Sequence, residues 1–234
     1  MRTLLMFLLL VSIYSSALAH KPLDTSQPAT KDQPIVIREH QSSWVAYNRL
    51  TGSEDVDYYL LSAVQKGDLI DTTLLVPVID RLANFRPVLA LLGPGLPIKT
   101  AGLTQETIKD FLKIAPNEGV VVKTSEQTSE IFFEPFTQTK YWQRQSLQLT
   151  TPVSGQYYLA VFDPKENGDK YVLSIGKQEN WKVKDIFEFP GVWWRVRMFT
   201  EHKRSTYAIV GFLILASLLL VVLLIKHYRQ RNKE

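Results

Sequence analysis

The chain has 234 residues, a formal charge of +4 and no cysteine, which excludes a thiol nucleophile, a disulfide framework, a zinc–cysteine site and a lipoprotein anchor. The net charge comes from the ends of the chain. Residues 20–206 carry 22 basic and 22 acidic side chains, 16 against 19 in residues 20–181 and 6 against 3 in residues 182–206, so the body has no electrostatic footprint for a nucleic-acid partner.

Residues 1–19 have the parts of a secretory signal: Arg2 at the charged start, an apolar middle over residues 4–13 and the small-x-small site Ala17-Leu18-Ala19. Cleavage there would leave His20 as the mature N-terminus; an uncleaved anchor is the alternative. None of the six asparagines lies in an Asn-x-Ser/Thr site, which together with the missing cysteine favours a bacterial or archaeal envelope.

Residues 20–34, rich in Lys, Pro, Thr, Asp and Gln, read as an extended lead-in. From Ile35 the pattern is short apolar and β-branched runs separated by turn residues. The runs are residues 35–37, 44–47, 56–63, 69–79 and 87–92, with turns at Lys66-Gly67-Asp68 and Gly93-Pro94-Gly95. Thr104 is a plausible N-cap, and Ile108, Phe111 and Leu112 share one helical face, so residues 104–114 read as a short surface helix. Runs resume at residues 119–123, 131–133 and 141–149. Residues 156–162 and 170–175 form a hairpin pattern around a polar tip. Nine or ten such strands predict a mainly β chain whose ectodomain, residues 35–181, is an antiparallel β-sandwich.

Residues 182–206 form an amphipathic collar. Ile186, Phe189, Val192, Trp193, Val196 and Phe199 recur at three- and four-residue steps, and Pro190 is expected to interrupt the helix or start a second piece. Trp193, Trp194, Arg195 and Arg197 suit a headgroup layer. Residues 207–225 hold no charge. As a helix of roughly 28 Å they match the roughly 30 Å hydrocarbon core of a bilayer. The tail, residues 226–234, carries Lys226, Arg229, Arg231 and Lys233, in line with the positive-inside rule, but Arg195, Arg197, Lys203 and Arg204 on the other flank match them in number, so the orientation rests on the leader. The expected topology is a cell-membrane protein with one span, N-terminus outside and C-terminus inside.

Several residues invite chemistry. A free N-terminal His20 can chelate Cu(II) through its amine and ring nitrogen, with His40, Glu134 or Tyr141 as candidates for a further ligand, although no spacing links them. Asp163, Glu166, Asn167 and Asp169 cluster at the hairpin tip as oxygen donors for Ca²⁺ but lack EF-hand spacing, and read as a solvated turn. Glu134 lies among aromatics in residues 132–139, ahead of Tyr141 and Trp142. That is a shelf for a sugar or peptide, or else ordinary core packing. Residues 96–100 resemble a sortase signal only loosely and sit in mid-domain. No Gly-x-Ser-x-Gly elbow, His-Glu-x-x-His helix or phosphate-binding glycine loop occurs. The expectation is therefore a non-enzymatic module without a resident cofactor, partnered by the bilayer and by another envelope protein or a glycan. The alternative is a copper-handling protein that uses His20.

Asp57-Tyr58-Tyr59-Leu60, Lys66-Gly67-Asp68-Leu69, Ser154-Gly155-Gln156-Tyr157-Tyr158-Leu159-Ala160-Val161 and Lys170-Tyr171-Val172-Leu173-Ser174-Ile175 resemble the bacterial pre-peptidase C-terminal-like domains. That resemblance implies a jelly-roll-like sandwich of the kind attached to secreted proteins. Pro77-Val78-Ile79-Asp80-Arg81-Leu82, residues 86–97 and residues 132–139 are similar to a family of uncharacterised secreted or membrane-anchored prokaryotic proteins. These resemblances imply a fold and a location, and no catalytic residues.

Overall fold

The structure, a computed structural model, describes residues 20–52, 55–125, 129–165, 168–180 and 183–231. The expected leader (1–19), Glu166 and Asn167 of the hairpin tip, and tail residues 232–234 lie outside the described residues. The chain divides at Phe187 into a β unit and a helical unit.

Among the described residues the β unit holds twelve strands: β1 (Lys21–Pro22), β2 (Ile35–Ile37), β3 (Trp44–Arg49), β4 (Val56–Val64), β5 (Leu69–Pro77), β6 (Val88–Pro94), β7 (Ile98–Lys99), β8 (Glu118–Lys123), β9 (Glu130–Glu134), β10 (Thr139–Thr150), β11 (Gly155–Phe162) and β12 (Lys170–Ile175). They form two six-stranded sheets, β1-β3-β12-β5-β10-β9 and β2-β4-β11-β6-β8-β7. Antiparallel pairing is nested: β3 with β12, β4 with β11, β5 with β10 and β6 with β8. A long hairpin folded over on itself pairs in this way, and jelly rolls use the same nesting.

The expected purely antiparallel sandwich needs correction. β1, β2 and β7 run parallel to β3, β4 and β8. Each is a two- or three-residue piece laid along an edge by a loop or the lead-in rather than returned by a hairpin. The sheets are therefore mixed at their rims.

Alternation along the strands explains the packing. Ala46, Tyr59, Leu61, Leu74, Leu89, Leu91, Leu159, Val161, Tyr171 and Leu173 meet between the sheets. The second sheet is apolar on its other face as well. Tyr58, Val88, Ala90, Leu92, Val120, Val122, Ala160 and Phe162 pack there with Ile108 and Leu112. The helix α1 (Gln105–Phe111), capped by Thr104 Oγ1 accepting from Thr107 N–H, is thus the lid of a second core, not merely a surface helix. Burial on both faces is also why β6 reads as an unbroken apolar run.

Tyr157 closes the corner before β11. Its hydroxyl donates to Val153 O at 2.8 Å and lies 3.1 Å from Pro94 O, a tyrosine-corner arrangement of β-sandwiches. Gly93 and Gly119 face each other across β6 and β8. A Cβ on Gly93 would lie 2.2 Å from the Tyr157 ring, and one on Gly119 1.8 Å from Leu96 O.

α2 (Val183–Phe199) starts at the end of the first unit, and the helical unit holds the rest of it and α3 (Lys203–Arg231). Pro190 removes one ladder N–H, yet α2 runs across it, so the expected interruption does not occur. The turn is a Schellman closure: His202 N–H donates to Arg197 O, Glu201 N–H donates to Met198 O, and Glu201 adopts φ 64°. It lets α3 begin four residues before the expected span. α3 is long and apolar enough to cross a membrane, and its most apolar stretch buries nothing within the chain.

Candidate functional site

The outer face of the first sheet carries a polar cluster. Tyr47 (β3) pairs with Val172 on β12, opposite in facing to the core residues Ala46 and Leu173. By the same alternation Ser174, Tyr141 and Glu134 point outward. A hydrogen-bonded chain crosses this face. Tyr47 and Tyr141 are hydrogen-bonded to each other. Thr139 Oγ1 donates to the Tyr141 hydroxyl at 2.9 Å, and Thr137 Oγ1 lies 2.7 Å from Thr139 Oγ1. Thr137 Oγ1 also donates to Glu134 Oε2. Backbone N–H groups of Phe136 and Thr137 donate to the two Glu134 oxygens at 2.9 and 2.7 Å. The Glu134 carboxylate is therefore fixed in orientation by the β9–β10 turn.

His20 joins this face from the opposite end of the sheet. The lead-in is tied to β3 by Lys21 N–H donating to Ser43 O and Leu23 N–H to Val45 O, both 2.8 Å. The imidazole sits between two hydroxyls, with Nδ1 2.5 Å from Ser43 Oγ and Nε2 3.4 Å from Ser174 Oγ. Burial pulls its pKa below the ordinary histidine value, against a smaller upward pull from Glu134. Burial likewise pushes both tyrosines up, with Glu134 adding to the effect. The His20 imidazole, an oriented carboxylate and two phenols therefore lie on this face of the sheet. Of the expected ligand candidates, Glu134 and Tyr141 are linked through Thr137 and Thr139, while His20 stands at the β1 edge of the same sheet.

His40 does not join them. Its Nε2 faces Asp68 Oδ2 at 3.4 Å and makes no hydrogen bond. Asp68 also caps the 65–68 turn through Gln65 N–H. Burial lowers the His40 pKa, with Asp68 opposing. Of the hairpin-tip oxygens, Asp163 accepts from Lys165 N–H. Asp169 faces Arg81 at 3.3 Å and Arg49 at 3.7 Å, so its charge is engaged by arginines. Among the described residues no group of three His, Asp or Glu side chains is placed to hold a metal ion.

The aromatic shelf is an open edge. β9 ends the first sheet, and Ile131, Phe132 and Phe133 are 60, 38 and 49 % exposed. Core packing is therefore not their role. Phe132 pairs with Tyr141 and lies 6.4 Å from its ring, whereas Ile131 and Phe133 alternate to the other face of the strand.

In the helical unit Arg197 is turned inward, not toward a headgroup layer as expected. Nε donates to Thr206 Oγ1 at 2.8 Å and Nη2 to Ser205 Oγ at 2.7 Å, and the guanidinium stands 5.0 Å from the Trp193 ring. Trp194 meets Tyr207 edge to face at 5.5 Å. Arg195, Lys226 and Arg229 are exposed.

Two buried polar groups were not singled out by the sequence. Asp57 accepts from the Tyr171 hydroxyl at 2.5 Å and Asn48 Nδ2 at 3.0 Å, and Tyr59 lies 2.7 Å from Tyr171, hydroxyl to hydroxyl. Burial raises the Asp57 pKa to about 7, against the Tyr171 hydrogen bond. Arg144 is the bulged residue between the β10–β5 pairs at Gln143 and Gln145. It donates to Ser129 Oγ, Leu82 O and Ala83 O, and lies 4.8 Å from the Trp142 ring. Burial, with Arg86 nearby, lowers its pKa to about 10. The signal in the sequence was the polar run Gln143-Arg144-Gln145 inside a strand, which an uninterrupted strand does not explain.

No protein-family profile and no curated protein matches the chain. Three solved structures are similar at a low level. A periplasmic inhibitor of g-type lysozyme, PliG of Aeromonas hydrophila, is 11 % identical with a TM-score of 0.32 over 68 % of this chain and 96 % of that one. The pre-peptidase C-terminal domain of a Bacillus anthracis collagenase is 14 % identical with a TM-score of 0.29, over 60 % and 90 %. CorA, a surface-associated copper-binding protein of Methylomicrobium album BG8, is 8 % identical with a TM-score of 0.31, over 61 % and 96 %. At these scores the likeness assigns neither a family nor an activity.

Proposed function

We propose that the protein is a single-span envelope protein that holds its β unit outside the cytoplasmic membrane as a non-enzymatic binding or accessory module. The observation that carries this reading is α3, 29 residues whose apolar side chains from Phe212 to Ile225 are about half exposed or more, apart from the small residues Ala216 and Ser217. A helix of that composition in water leaves several hundred Å² of apolar surface uncovered, which soluble monomers avoid. A bilayer covers it, and α3 satisfies its own backbone groups there. The leader supports an outside β unit, and the basic tail supports an inside C-terminus.

On this reading the open edge β9 is the contact surface for an envelope protein or a glycan. Its free edge has no partner strand among the described residues and carries the exposed Ile131 and Phe133, a form suited to strand addition or aromatic stacking. The near-neutral charge of residues 20–181 argues against nucleic acid.

The test is photo-crosslinking from position 133 in intact membranes, with position 66 on the far turn as control. A defined adduct from position 133 alone supports the reading. No adduct, together with no binding on a glycan array, contradicts it.

A further inference from the structure

Arg144 is 4 % exposed, and a buried charge ordinarily stands against an opposite one. This one does not. Its hydrogen bonds go to neutral groups, Nη1 to Ser129 Oγ at 3.0 Å and Nη2 to Leu82 O and Ala83 O at 3.2 and 3.1 Å, and Nε has no acceptor. Arg86 Nη1 donates to the same Ala83 O at 2.6 Å, so two guanidiniums converge on one carbonyl. Among the described residues neither has a carboxylate within ion-pair distance. The downward pull on the Arg144 pKa, from burial and then from Arg86, agrees with a positive charge left uncompensated.

The guanidinium stands in the wall of a cleft of about 760 Å³. Lys123 at the end of β8, Ser129 and Glu130 at the start of β9, and the β10 bulge line it. Lys123 and Arg144 against Glu130 leave the lining with one net positive charge. A single carboxylate neutralises that, whereas a phosphate dianion overshoots. The cleft also lies where the free β9 edge begins. A peptide that adds to this edge antiparallel has its C-terminal end at Glu130, within the cleft wall.

We propose that the Arg144 cleft takes the terminal carboxylate of an extended peptide segment, seated against Arg144 and Lys123. This deepens the reading of β9 as a contact edge, and rests on it for the choice of a peptide as the carrier of the carboxylate.

Ser129 Oγ holds the place at Nη1 that a carboxylate oxygen takes, and rotation about one side-chain bond clears it. The exchange is favourable because a guanidinium bonds a carboxylate about twice as strongly as a neutral oxygen. The Leu82 and Ala83 carbonyls fix the guanidinium in advance, so little side-chain freedom is lost when the ligand arrives.

The test uses full-length protein in detergent, at constant ionic strength made up with chloride. The probes are acetyl-trivaline, its C-terminal amide, glucuronate and inorganic phosphate. Binding is read as a rise in the unfolding temperature followed by tryptophan fluorescence. The acid is expected to bind about ten-fold or more tighter than the amide, the difference a charged hydrogen bond makes. Because Arg144 also supports the fold, the variants leave it in place. Ser129→Asp supplies a carboxylate of its own beside Nη1. It raises the unfolding temperature without any probe and abolishes the preference for acid over amide. Lys123→Met keeps the fold and reduces that preference by a few-fold.

Equal binding of acid and amide, or no binding of either, overturns the proposal. So does glucuronate or phosphate binding tighter than the peptide acid, or a Ser129→Asp protein that keeps the preference. A defined crosslink from position 133 alongside any of these results leaves the β9 reading standing. No crosslink with the acid preference intact removes that reading and keeps the cleft.

Discussion

Asp57 provides the sharpest quantitative expectation. Its carboxyl is 6 % exposed, between the sheets, and burial raises its pKa from 3.8 to about 7. In the unfolded chain the group loses its proton near pH 4, whereas in the folded chain it keeps it to about pH 7. Between those values the folded state binds more protons than the unfolded state, so stability falls as pH rises through this window and is flat above it. At about 1.4 kcal/mol per pKa unit the loss is on the order of 4 kcal/mol.

Asp57→Asn removes the effect without disturbing the network. Both the Tyr171 hydroxyl and Asn48 Nδ2 donate to the same oxygen, Oδ2, and an amide oxygen at that position accepts both. The assay is urea unfolding followed by tryptophan fluorescence at pH 4.5, 6 and 8. The variant matches the wild type within about 1 kcal/mol at the lowest pH and exceeds it by roughly 3 kcal/mol at pH 8. Parallel pH profiles for the two proteins, or a wild type that gains stability from pH 4.5 to 7, would refute the reasoning.

Other expectations follow from single contacts. Gly119→Ala drives a Cβ into Leu96 O, and a backbone atom gives way poorly. It lowers unfolding stability by roughly 1–3 kcal/mol in chemical denaturation. Arg144→Ala strips the Leu82 and Ala83 carbonyls of their donor and costs roughly 2–4 kcal/mol by the same assay. Arg144→Lys fails to restore it, because one ammonium does not span two carbonyls and Ser129 as the guanidinium fork does. Leu218→Arg places a charge within α3 and disfavours membrane insertion by roughly 2.5–3.5 kcal/mol, read as a fall in the inserted fraction in a translocon assay. Phe133→Ser leaves unfolding stability within about 0.5 kcal/mol, since the ring is 49 % exposed, yet it abolishes the adduct formed by a crosslinker placed at the neighbouring edge position 131.

Much of the architecture was legible because alternation and turn chemistry leave local marks. The runs at residues 56–63, 69–79 and 170–175 are strands β4, β5 and β12, and Lys66-Gly67-Asp68 is a turn with Gly67 at φ 91°. What local pattern could not reveal was the number of faces a strand buries. Val88 to Leu92 reads as apolar in either case, and only the packing of Ile108 and Leu112 on Val120 and Phe162 reveals a second core. The parallel rims were illegible for a similar reason, since two-residue edges such as Lys21–Pro22 carry no periodicity.

The His20 face lies at the far limit of legibility. Each member was visible as a residue type, but His20 and Glu134 stand at opposite edges of one sheet, with β3, β12, β5 and β10 between β1 and β9, and no spacing encodes that. Arg197 shows the converse. Its position beside Trp193 and Trp194 suggested a headgroup contact, and the turn at Glu201 instead folds Ser205 and Thr206 back onto it. The helix beginning at Lys203 rather than Tyr207 follows from that same turn.

The most direct test of the account is alkaline carbonate extraction of cells expressing the full chain, alongside a chain ending at His202, with protease added to spheroplasts. The account predicts the full chain in the membrane pellet with its β unit digested from outside, and the shortened chain in the soluble extracytoplasmic fraction. Full-length protein recovered in the carbonate supernatant, or a β unit protected until the membrane is broken, would contradict it.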